Sequence, residues 1–307
     1  MTETCFENFD RAFKIITFRI ARKAYQITET IKGRYYYPKD PDGKGEVSET
    51  SRHLKEGETT EWILLDGTPA TCSNIAIHNL YPGEIDLLIS GPNLGRNSSA
   101  AFALSSGTIG AALSSSLSKT RSIALSYGTV EHPTPLDYFE PAHQLSSRII
   151  RHLWEDWGQD KGGSIRNGEV DLYNVNVPMV EGLLKEEGLR ICWTHMWRNS
   201  YGKLFKPLTA PRPATSPAGP DSLDHSTEGP LSHIAASDSS SHALTFKFGP
   251  EMTGLIHPDL ANVPVGSDGW AIAKGWVSVT PLRACFAEPE HPTGINIWDT
   301  SEWKMKL

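Results

Sequence analysis

The feature that most constrains the fold is an alternation between Glu61 and Gly128. The short apolar run "EWILL" leads into "DGTPATCSNIAIHNL", where Thr68 is placed to cap a helix and Pro69 takes its first position, at which a missing N–H costs nothing. "EIDLLIS" (84–90) is a second apolar run, and a polar loop is expected from Gly91 to Thr108. "TIGAALSSSLSK" then reads as a helix of small residues and "RSIALSYG" as another buried strand. Strands and helices of these lengths in alternation need crossover connections, so the chain is expected to be an α/β protein with a mostly parallel sheet. Further on, "PAHQLSSRIIRHLWEDWG" puts Leu145, Ile149, Leu153, Trp154 and Trp157 on one core-facing helical stripe that closes at Gly158. "DLYNVNVP" and "GWVSVTPL" read as later strands, each ended by its proline.

Composition narrows the function. With 307 residues, 38% of them hydrophobic, the chain can bury the core of one large domain or two modest ones. A net charge of -7 and the lack of a Lys/Arg run give no electrostatic footprint for a nucleic-acid duplex or an anionic membrane, so a small-molecule partner is expected. No apolar run approaches the roughly 18 residues that cross a bilayer. The opening segment carries Glu3, Glu7 and Asp10 and reads poorly as a leader. Cys5, Cys72, Cys192 and Cys285 are scattered, which fits reduced thiols and a cytoplasmic setting, with neither zinc nor disulfides. Residues 208–242 are rich in Pro, Ser and Ala with almost no large apolar side chain; a disordered insertion is expected there, with "ALTFKF" resuming the fold.

The chemistry is concentrated in "GPNLGRNSSAAFALSSGT" (91–108). In an open parallel sheet, ligands bind beyond the carboxyl ends of the strands, and this segment begins there. Asn93 and Asn97 offer carbonyl oxygens to a hard cation and N–H groups to an anion. Ser106, Gly107 and Thr108 at a helix start present hydroxyls and unpaired backbone N–H groups, a combination suited to an oxyanion. Arg96, between the asparagines, is the candidate cation for phosphate contact. The spacing matches neither the dinucleotide-binding nor the Walker pattern. Taken one at a time, these residues are also ordinary turn and cap formers.

"LLISGPNLGRN" followed by "SSGTIGAA", with "DGTPATC" upstream and "YNVNVP" and "GWVSVTPL" downstream, resembles the SurE family of survival phosphatases in content and order. The resemblance covers Glu61 to about Phe286, and "GPNLGRN" and "WRNSYGKLFK" are most similar to fungal members. It implies a three-layer α/β sandwich with a mostly parallel, Rossmann-like sheet and an extended β-arm. The implied activity is metal-dependent hydrolysis of phosphomonoesters, as by an acid phosphatase or 5′(3′)-nucleotidase acting on nucleoside monophosphates, with magnesium or manganese and in a homodimer. Carried over residue by residue, Asn93 is the metal ligand, Asn97 lies near the phosphate, and Ser106 and Thr108, with Gly107 between them, start the phosphate-binding helix. "WRNSYGKLF" maps to the arm, from which Arg198 or Lys203 could approach a substrate. The domain reading is 1–60 as an atypical segment replacing the family's first strand and metal loop, 61–288 as the phosphatase domain, and 289–307 as a tail.

The family also opens with a strand ending in Asn-Asp-Asp-Gly, whose carboxylates anchor the metal, and no such motif stands in this sequence. The apolar segment "FKIITFRI" (13–20) is the candidate to fill the missing strand's place, but it ends in Ala-Arg. Asp10, Asp40, Asp42 and Asp66 are the carboxylates available to substitute, with Asp66 the best placed and also readable as a turn residue. "DPDG" (40–43) reads better as a turn, and His195 as a packed or surface-facing strand residue than as a general base. The catalytic residues are therefore unassigned and an impaired site is expected. The alternative is a catalytically inactive relative that acts as an anion-binding or dimerisation partner.

Overall fold

The computed structural model describes residues 14–17, 25, 30–40, 43–130, 133–163, 165–207, 245–249 and 258–287. Four strands form one sheet: β1 (Lys14–Thr17), β2 (Gly33–Pro38), β3 (Gly45–Ser48) and β4 (Trp62–Leu65), in the order β1-β4-β2-β3. β1 runs parallel to β4, and β2 is antiparallel to both β3 and β4. The strands on either side of Glu61 thus share a sheet. The segment 13–20, read as the candidate for the missing strand's place, contains β1, which takes β4 as its parallel partner. Asp40 stands in the turn between β2 and β3, as read; Asp10 and Asp42 lie outside the described residues.

After β4, Thr68 caps α1 (Pro69–Ile75) by accepting the Thr71 N–H at 3.1 Å. The second sheet then begins with β5 (Leu87–Leu94), which passes through the segment read as a loop, with a register shift between Ser90 and Asn93. α2 (Ser99–Ser105) and α3 (Gly107–Leu117) follow, so the expected loop of 91–108 is mostly regular structure. β6 (Arg121–Thr129), α4 (Phe139–Glu155), β7 (Leu172–Met179), β8 (Ile191–Trp193), α5 (Asp268–Ala273) and β11 (Val277–Leu282) complete this unit. Its five-stranded sheet has the order β5-β6-β7-β11-β8, parallel throughout except between β7 and β11. Among the described residues β5 is an edge strand.

Neither proline ends its strand. Pro178 pairs opposite Gly128 of β6, while the β11 ladder stops at Asn176; Pro281 pairs opposite Tyr173, while the β8 ladder stops at Val279. Each proline therefore has a neighbour on one side only, and its missing N–H deprives no ladder partner. α4 likewise ends before Gly158, whose N–H is taken by the Tyr173 hydroxyl at 2.9 Å.

Period-two alternation makes the two faces of this sheet chemically different. In "SIALSY", "LYNVNV" and "VSVT", one set of side chains is Ile123, Leu125, Tyr127, Tyr173, Val175, Val177, Val277 and Val279; these pack with Ile149, Ile150 and Leu153 of α4. The other set is Ser122, Ala124, Ser126, Leu172, Asn174, Asn176, Ser278 and Thr280, all buried. α3 covers part of this second face, with the Ser116 and Ser122 hydroxyls 2.8 Å apart and Ala124 and Leu172 packed against Ile109 and Ala112. The result is the expected three layers, α4, sheet, and helices α2 and α3.

Gly91 fixes where β5 meets β6. Its φ is +116°, and a Cβ there would stand 2.2 Å from the Leu125 carbonyl oxygen. Gly91→Ala is therefore expected to lower stability by ~1–3 kcal/mol, from overpacking against backbone and from the strained φ; urea unfolding measures it.

The described residues of 200–259 belong to a separate unit. Within it β9 (Phe205–Pro207) and β10 (Phe246–Phe248) pair antiparallel, with Phe205, Phe246 and Phe248 exposed. Phe246–Phe248, in the run where the fold was expected to resume, is thus one strand of this two-stranded arm. Residues 208–242, read as a disordered insertion, lie outside the described residues.

Candidate anion site at the carboxyl end of the sheet

The register of β5 and β6 places Asn93 beside Ser126, and the start of α3 brings in Thr108. The Asn93 Oδ1 accepts from the Ser126 hydroxyl at 2.8 Å, the Asn97 Nδ2 at 3.0 Å and the Thr108 hydroxyl at 3.1 Å. Asn97 also donates to the Ser126 Oγ at 2.7 Å. Asn97 and Ser126 are buried, whereas Asn93 and Thr108 are partly exposed. Three of the residues singled out from sequence, Asn93, Asn97 and Thr108, therefore share one hydrogen-bonded cluster.

The other three stand beside it in different roles. Ser106 caps α3, its Oγ accepting the Ile109 N–H at 3.2 Å. At Gly107 a Cβ would lie 2.9 Å from the Pro69 ring, so glycine permits the close packing of α1 on α3. Arg96 donates to the Thr129 carbonyl at 3.2 Å near the end of β6, and burial pushes its guanidinium below the usual range. The first turn of α3 carries no acidic residue, so its positive end is not neutralised from within the helix.

The first turn of α2 is closed to a ligand. Ser99, at φ +74°, donates its N–H to Asp268 Oδ2 at 2.7 Å; the Ala100 N–H goes to the Trp197 carbonyl at 2.8 Å, and the Ala101 N–H to Asn199 Oδ1 at 2.9 Å. Asp268, fully buried, also accepts from the Trp197 N–H at 2.9 Å and the Gly269 N–H at 2.7 Å. Burial raises its carboxyl above the usual range while the three amide donors pull the other way. Ser126, Asn174, Asn176 and Asp268 were not singled out from sequence. The first three had a signal, the alternation of small polar and large apolar residues along β6 and β7.

A magnesium or manganese ion does not fit the donors described. Such ions bind through carboxylates and keep several waters, yet no group of three or more His, Cys, Asp or Glu among the described residues is placed to hold a metal. Asp66 is exposed at the end of β4, and Asp268 spends its carboxylate on backbone amides. The Asn93 oxygen already takes three donors, leaving its NH2 without a hydrogen bond among the described residues. What the cluster offers a ligand is donors. His195 and Arg198 are exposed; the His195 backbone bridges to Gly266 and Asp268.

No single helix among the described residues is long and apolar enough to cross a membrane. Cys72, Cys192 and Cys285 are free thiols.

Comparison with known proteins bears on the same segment. A family model described as "Survival protein SurE" matches residues 24–203, more than half of the chain. A Saccharomyces cerevisiae protein named "Probable tubulin–tyrosine ligase PBY1" is 32% identical over 242 residues, 77% of this chain but 29% of that protein. A protein named "5′-nucleotidase SurE" from Pelotomaculum thermopropionicum is 27% identical over 231 residues, 75% of this chain and 68% of its own length. Among solved structures, a SurE protein from Aquifex aeolicus has a similar fold, with a TM-score of 0.53 at 18% identity, over 89% of this chain and 82% of that one.

Proposed function

Since the chain belongs to the SurE family, we propose that it acts on phosphomonoesters, of which nucleoside monophosphates are the favoured class, at the Asn93–Asn97–Thr108 cluster. The observation that carries this reading is the convergence of the Thr108 hydroxyl, the Asn93 amide and the start of α3 on one spot at the carboxyl ends of β5 and β6. A phosphoryl oxygen is a stronger acceptor than an amide oxygen, so it competes for the Thr108 hydroxyl. The positive end of α3 and the half-buried Arg96 favour its charge. Asn97 and Ser126, both buried, hold Asn93 in place while this happens. The SurE family is divalent-metal dependent; here no step is assigned to a metal, and no side chain is assigned as nucleophile.

A second reading has an observation of its own. Since no group of three or more His, Cys, Asp or Glu among the described residues is placed to hold a metal, this reading has the chain bind the anion without turning it over and act as a binding or dimerisation partner. Hydrolysis of p-nitrophenyl phosphate with added manganese separates the two. Turnover that Asn93→Ala abolishes supports the enzyme, and no turnover with any divalent metal supports the binding protein. The exposed phenylalanines of β9 and β10 favour a homodimer made through the arm, which light scattering measures. A reducing, cytoplasmic setting goes with the free thiols.

A further inference from the structure

We propose that Asn174 and Asn176 are positioning residues that clamp the main chain at Asn97 and so hold the anion cluster in its working geometry; the inference rests on the site reading above. Both lie on β7 and are fully buried. Asn176 Oδ1 accepts the Asn97 N–H at 2.8 Å, and Asn174 Nδ2 donates to the Asn97 carbonyl at 2.9 Å. A backbone N–H only donates and a carbonyl only accepts, so these contacts fix which way each amide faces.

The clamp is continuous with the cluster. Register places Asn176 beside Ser126, and Ser126 beside Asn93. Asn97 is therefore held at its N–H, at its carbonyl and, through Ser126 and Asn93, at its side chain. Each asparagine also carries an expense that packing does not explain. Asn176 Nδ2 and Asn174 Oδ1 are buried without a hydrogen-bond partner among the described residues. A side chain of similar size with no polar atoms would fill the same space without that penalty. What the asparagines add is a fixed position for the turn that leads from β5 into α2, the kind of preorganisation an anion site needs.

The test uses the full chain, inorganic phosphate as the probe, and four variants checked for folding by thermal unfolding. Asn174→Leu and Asn176→Leu are expected to weaken phosphate binding by about tenfold or more in calorimetry, as displacement of the cluster predicts. Asn176→Asp keeps an acceptor for the Asn97 N–H and is expected to recover most of the affinity, whereas Ser278→Ala, on the same buried face, leaves it unchanged. Amide hydrogen exchange at Asn97, read by NMR without phosphate, is expected to accelerate in Asn176→Leu and to return to the wild-type rate in Asn176→Asp. Folded leucine variants that bind phosphate like the wild type, or unchanged Asn97 exchange in Asn176→Leu, overturn the clamp. If Asn176→Leu does not fold, loss of Asn97 protection in Asn176→Asp overturns it instead. If the wild type binds no phosphate, the functional reading fails, and the exchange rates still decide the clamp.

Discussion

Asp268→Ala is expected to lower the free energy of unfolding by ~3–5 kcal/mol, a large loss for a single side chain. The carboxylate joins three stretches of chain: the start of α2 through Ser99, the segment after β8 through Trp197, and the start of α5 through Gly269. Deleting it leaves three amide donors facing a void from which water is excluded, each worth ~1–3 kcal/mol if unsatisfied, with partial relaxation reducing the sum. Ser99 adds to the effect, because its left-handed backbone is held in place by this one acceptor. Asp268→Asn should be milder, at ~1–3 kcal/mol, since Oδ1 still accepts from Trp197 and Gly269 and the Ser99 bond alone is lost. Urea unfolding of the two variants gives the order. Equal losses would mean that the carboxylate does not act as a three-way joint. Ser99 is two residues from Asn97, so the alanine variant should also weaken phosphate binding.

Thr108→Val should do the reverse, sparing the fold and removing function. Valine matches threonine in shape, and Asn93 Oδ1 keeps two of its three donors, from Ser126 and Asn97. The stability change is expected to stay within ~1 kcal/mol. Loss of a donor aimed at a developing oxyanion typically lowers kcat by about 10²–10³. The expected result for p-nitrophenyl phosphate hydrolysis is a fall in that range with unfolding unchanged. A wild-type rate in Thr108→Val would remove the hydroxyl from the site.

Strands β5, β6, β7 and β11, the capped start of α1 and the helix of small residues were legible because each rests on local signals: an apolar run, Thr-Pro, Ser-Gly-Thr. What was not legible depends on partners far away in sequence. Asp268 in "GSDGW" carries no local signal of its role, because its decisive contacts are to Trp197 and Ser99, 71 and 169 positions distant. Pro178 and Pro281 look like strand ends until it is known that the neighbouring ladder stops first. The apolar run at 13–20 identifies a strand without saying that it pairs with β4. Within the site, the trio Asn93, Asn97 and Thr108 was readable from spacing, because a strand end and a helix start 15 positions apart meet across a short connection. Its buried support was readable in principle. "SIALSY", "NVNV" and "VSVT" alternate polar with apolar although both faces are covered, and a covered strand has no need of polar side chains unless they bind something.

The central claim is that one cluster at the carboxyl end of the sheet grips an oxyanion through donors of this chain. A crystal structure of the full chain grown with inorganic phosphate measures it most directly. The account predicts a phosphate within hydrogen-bonding distance of Thr108 Oγ1 and Asn93 Nδ2, against the first turn of α3. A phosphate bound elsewhere, with the Thr108 hydroxyl still on Asn93 Oδ1, would contradict it.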